Sequence, residues 1–142
     1  MQAQDVMNRA VITLRPHMPV AAAAALLVAR GVTSAPVVTA EGMLRGIVSE
    51  VDLLRARSTV SDGTAEHAAT AADVMTPEPV TVRPTDELTD VAAVLLDRGV
   101  RAVPVVDGER LVGILSRRDV LSLIAQEAPP PSRSDRPVTK TA

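Results

Sequence analysis

Two stretches of the chain carry apolar residues at the spacing of one helix face. In each stretch the apolar positions recur three or four residues apart, which predicts an amphipathic helix. Pro19 precedes the first stretch, and Thr85 is suited to the N-cap of the second. Gly31 and Gly99 follow the last apolar positions, where a helix end favours a left-handed residue. The two stripes consist of Val20, Ala23, Ala24, Leu27 and Val28, and of Leu88, Val91, Ala92, Leu95 and Leu96.

Short runs rich in Val, Ile and Leu predict strands before and after each of these helices. The run before each helix ends at Pro16 or Pro84, since proline cannot continue a central strand. Two runs joined by a turn with Gly42 or Gly108 follow each helix, and a second helix closes each half. The predicted strands are 12–14, 35–38 and 44–48, then 80–82, 103–106 and 111–115, and the closing helices are 50–57 and 117–126.

The two halves of the chain are copies of one another. Asp5-Val6-Met7 returns as Asp73-Val74-Met75 at an offset of 68 residues, and at an offset of 67 Gly46-Ile47-Val48-Ser49 pairs with Gly113-Ile114-Leu115-Ser116. Residues 5–40 and 43–54 share 21 identities in 48 positions with the second half when they are aligned in this way. The chain is therefore a tandem duplication of a strand-helix-strand-strand-helix unit, and we call the copies repeat 1 and repeat 2.

A single unit of about 55 residues buries too little apolar surface to be stable alone. Packing the sheet of one unit against the sheet of the other solves that problem. The predicted fold class is therefore α/β in the α+β sense, with two pseudo-symmetric β-α-β-β-α motifs packed sheet to sheet.

The amino-acid composition argues against several classes of function. The chain has 142 residues, of which 46% are hydrophobic and 23% charged, which is typical of a folded domain, and no apolar run reaches the ~18 residues of a membrane span. Cysteine is absent, and the two histidines do not have a ligand spacing, so no disulfide, zinc site or cysteine nucleophile is expected. The absence of aromatic residues and the net charge of −2 argue against nucleic acid as a partner. We expect a cytoplasmic protein, because the first residues lack the basic region of a secretory signal.

The repeated motifs resemble a tandem pair of cystathionine-beta-synthase (CBS) domains, here a stand-alone Bateman module. The resemblance is carried by the opening Asp-Val-Met, the Gly-Val-x-x-x-Pro-Val-Val stretch and the closing Gly-hydrophobic-hydrophobic-Ser-x-x-Asp, each present twice in the same order. It implies CBS motif 1 at residues 4–60, a linker at 61–71, CBS motif 2 at 72–126 and a disordered tail at 127–142.

The resemblance implies a regulatory module that binds an adenine nucleotide or adenosyl compound in clefts between the two motifs and signals to a partner protein. The expected ligands are AMP, ADP or ATP, with S-adenosylmethionine, NAD or a cyclic dinucleotide ranked lower, and no cofactor is required. In the family the serine contacts the phosphate, and the aspartate accepts hydrogen bonds from the ribose hydroxyls. Carried over to this chain, one cleft combines Ser116, Asp119, Val11, Ile12, Thr33 and Ser34, with Arg117 beside the phosphate, and the other combines Ser49, Asp52, Pro79, Val80, Arg101 and Ala102.

The two clefts are not equivalent in charge. Arg117 and Arg118 follow Ser116 and suit a phosphate, whereas Glu50 follows Ser49 and repels a polyphosphate. The sequence therefore favours the Asp119 cleft. Ser-x-x-Asp is also a form of the capping box, and one serine can cap a helix and meet a ligand.

Two alternatives to a ligand sensor stay open at this point. A ligand-free interaction scaffold would use the same fold with empty clefts, and a thermal-shift screen separates the two. An enzyme is not expected, because no nucleophile–base arrangement stands out. The resemblance also implies a homodimer that buries the apolar helix stripes, in an orientation that the sequence leaves open.

Overall fold

The computed structural model describes residues 1–59 and 69–127. Residues 60–68, which include most of the linker predicted at 61–71, and residues 128–142 of the tail predicted at 127–142 lie outside the described residues. The helices are α1 (Ala3–Val6), α2 (Val20–Arg30), α3 (Glu50–Thr59), α4 (Ala71–Val74), α5 (Leu88–Asp97) and α6 (Arg117–Gln126). The strands are β1 (Ser34–Val38), β2 (Leu44–Ser49), β3 (Thr76–Pro77), β4 (Ala102–Asp107) and β5 (Arg110–Ser116).

Each repeat contains an antiparallel hairpin. Strand β1 pairs with β2 from Ser34 opposite Ser49, and β4 pairs with β5 from Ala102 opposite Ser116. The predicted hairpins and their Gly42 and Gly108 turns are confirmed. This register places the serine at the end of each hairpin beside the first residue of the same hairpin, at the edge where the closing helix begins.

The predicted strands at 12–14 and 80–82 are wrong in extent, because each is reduced to a single bridge residue. The backbone of Leu14 donates to Pro36 O at 2.8 Å and accepts from Val38 N at 2.9 Å, and Val82 does the same with Pro104 and Val106. A proline follows two residues later in both repeats and ends the pairing.

The helices α2 and α5 form where the apolar stripes predict them. Ala23 and Leu27 are buried on α2, and Val91 and Leu95 are buried on α5. Gly31, at the end of α2, and Gly99, just after the end of α5, have φ angles of 65° and 62°, the left-handed conformation expected after a helix. The predicted N-cap at Thr85 is wrong, since α5 begins at Leu88 with Glu87 as the N-cap residue.

The first residues of each repeat pack against the other repeat. Ala3 and Met7 lie in the core of repeat 2, together with Val91 and Leu115, whereas Ala71 lies in the core of repeat 1. Backbone hydrogen bonds hold both segments, from Ala3 N to Asp86 O and from Ala71 N to Met18 O, each at 2.8 Å. The two repeats are thus interlocked, because the first segment of each one packs on the other. We call these two segments the exchanged segments, and the exchange was not predicted from the sequence.

The turns of the two hairpins also meet. Leu44 N donates to Glu109 O at 2.9 Å, and Leu111 N donates to Gly42 O at 3.0 Å. The architecture is the α+β fold that the sequence predicts, with two related motifs packed together.

Candidate functional site

A cavity of about 420 Å³ lies between the two repeats, at the edge where β2 ends and β4 begins. Its volume falls within the ~300–1,000 Å³ that is typical of small-molecule sites. All six residues assigned to the Asp52 cleft line it, and we call it the Asp52 cavity. These six residues are Ser49, Asp52, Pro79, Val80, Arg101 and Ala102.

Ser49 and Asp52 form a capping box at the start of α3. The Asp52 Oδ2 atom accepts hydrogen bonds from Ser49 N at 2.8 Å and from Ser49 Oγ at 3.0 Å. In return, Asp52 N donates to Ser49 Oγ at 3.2 Å. These bonds fix the rotamers of both side chains at the cavity wall, so the capping role and a binding role are compatible here.

This network leaves two groups of the helix start available to a ligand. The second carboxylate oxygen of Asp52, Oδ1, accepts no hydrogen bond among the described residues. In the first turn of α3, Glu50 N donates to Thr33 O at 2.9 Å, and Asp52 N donates to Ser49 Oγ. The remaining first-turn N–H, that of Val51, has no hydrogen-bond partner within residues 1–59 and 69–127. A carboxylate oxygen can accept from sugar hydroxyls, and a free N–H at a helix start favours an anion.

The charged residues that line the Asp52 cavity are Glu50, Asp52 and Arg101. Arg101 is exposed, and its guanidinium has no hydrogen-bond or ion-pair partner in the described part of the chain. One free cation beside two carboxylates suits a ligand with a small negative charge better than a polyphosphate.

The remaining wall of the Asp52 cavity is mostly aliphatic, as a site without aromatic residues requires. The backbone of Glu78 has a φ of 47°, a left-handed conformation that is uncommon for a residue other than glycine. This bend follows β3 and leads into Pro79 and Val80 at the cavity. The apolar lining residues are Ile47, Val51, Pro79, Val80, Val100, Ala102 and Pro104.

The residues assigned to the Asp119 cleft are placed differently. Thr33 and Ser34, which were predicted for that cleft, line the Asp52 cavity instead. Ser116 and Asp119 form a second capping box, with Ser116 N donating to Asp119 Oδ2 at 2.8 Å and Asp119 N donating to Ser116 Oγ at 3.1 Å. Val11 and Ile12 are half-buried just before the Leu14 bridge. The Asp119 cleft stays a prediction.

Arg117 has a structural role in addition to the one predicted for it. Its Nε donates to Val100 O at 2.9 Å, and its Nη2 lies 3.5 Å from Leu95 O. The guanidinium therefore covers carbonyl groups at the C-terminal end of α5. The charge that made the Asp119 cleft attractive from the sequence is engaged in this contact.

Several lining residues of the Asp52 cavity were not predicted from the sequence. The β-hairpin alternation could have indicated Ile47, which lies two residues before Ser49 on the same strand face. Thr76 belongs to the exchanged segment, and no sequence signal places it near β2. The unpredicted lining residues are Ile47, Glu50, Val51, Thr76, Val100 and Pro104.

The described ranges contain no group of three or more His, Asp or Glu side chains placed to hold a metal ion. Among the same residues, no helix is both long and apolar enough to cross a bilayer.

Comparison with known proteins identifies the same architecture elsewhere. The family profile of the CBS domain matches residues 3–59 and 71–126. The crystal structure of CBSX2 from Arabidopsis thaliana in complex with AMP has a TM-score of 0.79 and 33% sequence identity, over 88% of this chain and 96% of that one. The CBS domain pair of protein MJ0100, in complex with 5′-methylthioadenosine and S-adenosyl-L-methionine, has a TM-score of 0.77 and 25% identity, over 90% and 98% of the two chains.

Sequence relatives differ in how much of their length this chain matches. CBS domain-containing protein YhcV from Bacillus subtilis is 30% identical over 118 residues, which cover 82% of this chain and 81% of YhcV. An uncharacterized protein from Methanocaldococcus jannaschii is also 30% identical, but the chain spans 43% of its length. The chain spans 24% of a homoserine O-acetyltransferase from Methanohalophilus mahii, so the likeness to that enzyme concerns a minor part of it.

Proposed function

The chain belongs to the CBS domain family, and from that premise we propose that it is a regulatory module whose Asp52 cavity binds an adenosine-containing ligand, with AMP as the first candidate. The observation that carries the proposal is the cavity itself, in which all six residues assigned to one cleft lie together with a free carboxylate oxygen and a free arginine. Similar CBS pairs in complex with AMP and with 5′-methylthioadenosine and S-adenosyl-L-methionine support this class of ligand.

Each part of an AMP molecule has a matching group in the cavity. Asp52 Oδ1 accepts from the ribose hydroxyls, because a carboxylate is the natural acceptor for two neighbouring O–H groups. The free N–H of Val51 and the guanidinium of Arg101 receive the single phosphate. The aliphatic wall, including Ile47 and Val80, holds the adenine.

The charges that line the Asp52 cavity predict the order of affinity among adenosine-containing ligands. Glu50 lies one residue from Val51, whose N–H is proposed to bind the phosphate, so its carboxylate repels each added phosphate group. Arg101 is the one cation among the lining residues of the Asp52 cavity, and it offsets only part of that repulsion. We expect AMP to bind more tightly than ADP and ADP more tightly than ATP. S-adenosylmethionine, which carries a positive sulfonium, stays a candidate at this cavity, whereas NAD and cyclic dinucleotides carry more phosphate and rank lower.

We also propose that the module acts as a homodimer and reports its ligand state to another protein in the cytoplasm. Large apolar side chains on the helices support an association, since Val28 is 83% exposed and Leu96 is 72% exposed. A sensor needs a target for its signal, and the resemblance to other CBS pairs supports a partner protein in that role.

The test is calorimetry with AMP on the natural protein and on two matched variants. Asp52→Ala removes the ribose acceptor, and we expect AMP affinity to fall at least about tenfold, since a hydrogen bond to a charged group contributes roughly 1.5–3 kcal/mol. Asp119→Ala is the control, because it removes the same capping-box carboxylate from the start of α6 at a similar cost in stability. It should leave the AMP affinity of the Asp52 cavity within about twofold.

The opposite pattern, with loss of binding in Asp119→Ala alone, would place the nucleotide in the Asp119 cleft. A thermal-shift screen with AMP, ADP, ATP, 5′-methylthioadenosine and S-adenosylmethionine precedes the calorimetry. A ligand at 100 times its dissociation constant should stabilise the fold by about 2.7 kcal/mol. No shift with any of these compounds would contradict the sensor and favour the ligand-free scaffold.

A further inference from the structure

The start of α6 holds the chain segment that presents Arg101 to the Asp52 cavity. Arg117 N donates to Arg101 O at 2.9 Å, and Arg117 Nε donates to Val100 O at 2.9 Å. Val100 and Arg101 both line the Asp52 cavity, although Arg117 itself belongs to the second Ser-x-x-Asp motif. One arginine therefore binds two consecutive carbonyl groups in the wall that repeat 2 contributes to the cavity. We call this pair of contacts the Arg117 clamp.

The clamp acts on the short turn that connects α5 to β4. Gly99 in this turn has a φ of 62°, and Val100 N donates to Leu95 O at 3.2 Å, which closes the end of the helix. Arg117 Nη2 lies 3.5 Å from the same Leu95 O. A positive charge is stabilised at the C-terminal end of a helix, and hydrogen bonds from a charged donor are stronger than neutral ones. The guanidinium thus fixes the turn relative to the start of α6.

The equivalent turn of repeat 1 has a similar backbone but no such clamp. The tripeptide Arg-Gly-Val ends the first helix stripe in both repeats, and Glu50 N donates to Thr33 O at 2.9 Å. The side chain in the place of Arg117 is here the carboxylate of Glu50, which has no hydrogen to donate to Val32 O. The clamp therefore departs from the duplication, and it acts on the turn that ends in Arg101.

We propose that Arg117 is a positioning residue of the Asp52 cavity, which acts through Val100 and Arg101 without touching the ligand. The inference rests on the proposed function and adds a residue that sets the affinity for the phosphate group. Because the backbone of Arg101 is fixed in advance, less conformational entropy is lost when its guanidinium binds a phosphate. The clamp therefore favours AMP over adenosine compounds that carry no phosphate.

Calorimetry with AMP and with adenosine tests this role, because adenosine lacks the phosphate that Arg101 would bind. Arg117→Ala should weaken AMP binding at least about fivefold and leave adenosine binding within about twofold. Arg98→Ala is the matched control, because it removes the same charge from an exposed position of the same turn, and both affinities should stay within about twofold. Arg117→Lys keeps one charged donor for Val100 O and should retain more AMP affinity than Arg117→Ala.

A double-mutant cycle separates positioning from a general loss of stability. In an Arg101→Ala background, Arg117→Ala should change AMP affinity by less than about twofold, because the guanidinium that it positions is gone. Equal losses of AMP and adenosine affinity in Arg117→Ala, or unchanged AMP binding, would overturn the positioning role, as would a loss of the same size without the Arg101 side chain. If the natural protein binds no AMP, or if Asp52→Ala leaves AMP binding unchanged, the proposed function fails and this inference fails with it.

Discussion

At the scale of single residues, two glycines show how the repeats are held together. Gly46 and Gly113 are buried in the second strand of each hairpin, and each faces a methionine of the exchanged segment. A Cβ atom at Gly46 would lie 2.5 Å from Met75 Sδ and 2.7 Å from the backbone oxygen of Thr76. At Gly113 a Cβ would lie 2.5 Å from Met7 Sδ, with side-chain atoms of Met7 as its near neighbours.

This difference predicts unequal costs for the same substitution. Gly113→Ala requires a shift of one flexible methionine, so we expect a loss of about 1 kcal/mol in the free energy of unfolding. Gly46→Ala also pushes against the Thr76 backbone and should cost about 2–3 kcal/mol. Urea denaturation of both variants measures this difference, and equal losses would contradict the account.

At the scale of elements, the short helices α1 and α4 are held by capping boxes. Thr70 N and Thr70 Oγ1 donate to Asp73 Oδ2 at 2.8 and 3.0 Å, and these hydrogen bonds lower the pKa of Asp73. Gln2 and Asp5 form the equivalent box at α1. The boxes let four-residue helices form, which in isolation would be too short to be stable.

The exchanged helix α1 should matter to repeat 2 as much as any core element. Ala3 is fully buried in the core of repeat 2, so Ala3→Asp places an unpaired carboxylate there and should cost on the order of 2–4 kcal/mol. Ala10→Asp, at an exposed position of the same segment, is the control and should change stability by less than about 0.5 kcal/mol.

Thermal unfolding followed by circular dichroism measures both variants. Because the segments interlock the repeats, we expect a single transition that moves as a whole in Ala3→Asp. Two separate transitions, with that of repeat 1 unchanged, would show that the exchange does not couple the halves.

At the scale of the whole molecule, the Asp52 cavity shares a wall with an open apolar groove of about 940 Å³ between α2 and α3, which we call the α2–α3 groove. Thr33 and Glu50 line both, and a backbone hydrogen bond of 2.9 Å from Glu50 N to Thr33 O joins them. If the proposed ligand binds in the Asp52 cavity and a second copy of the proposed homodimer packs on the α2–α3 groove, both would contact the same two residues. Such a wall offers a physical route from ligand binding to the assembly.

The shared wall predicts reciprocal coupling between AMP and dimerisation. AMP should change the dimer dissociation constant by about fivefold or more, and by linkage dimer formation should change AMP affinity by the same factor. Analytical ultracentrifugation with and without AMP measures the first effect. Calorimetry on Leu54→Asp, which places a charge on the exposed apolar face of α3 to prevent dimerisation, measures the second. Identical AMP affinities in the monomer and the dimer would exclude the coupling.

The local features of this protein were determined by its sequence. The helix stripes, the hairpins and the glycine helix ends follow from spacing and turn chemistry within about ten residues, and the duplication with its Ser-x-x-Asp motifs was enough to predict the CBS family and the α+β fold, both of which are confirmed. Ser49 and Asp52 were also predicted as a pair, since a capping box is a local arrangement.

Contacts between distant segments were decided by the tertiary structure alone. Met7 and Met75 both follow an Asp-Val pair, and nothing in this motif indicates that each methionine packs on the other repeat. The engagement of Arg117 with the end of α5 and the presence of Thr33 in the Asp52 cavity depend in the same way on which surfaces meet. Packing selects among partners that the sequence spacing leaves equivalent, because a duplicated chain offers every segment two similar places to bind.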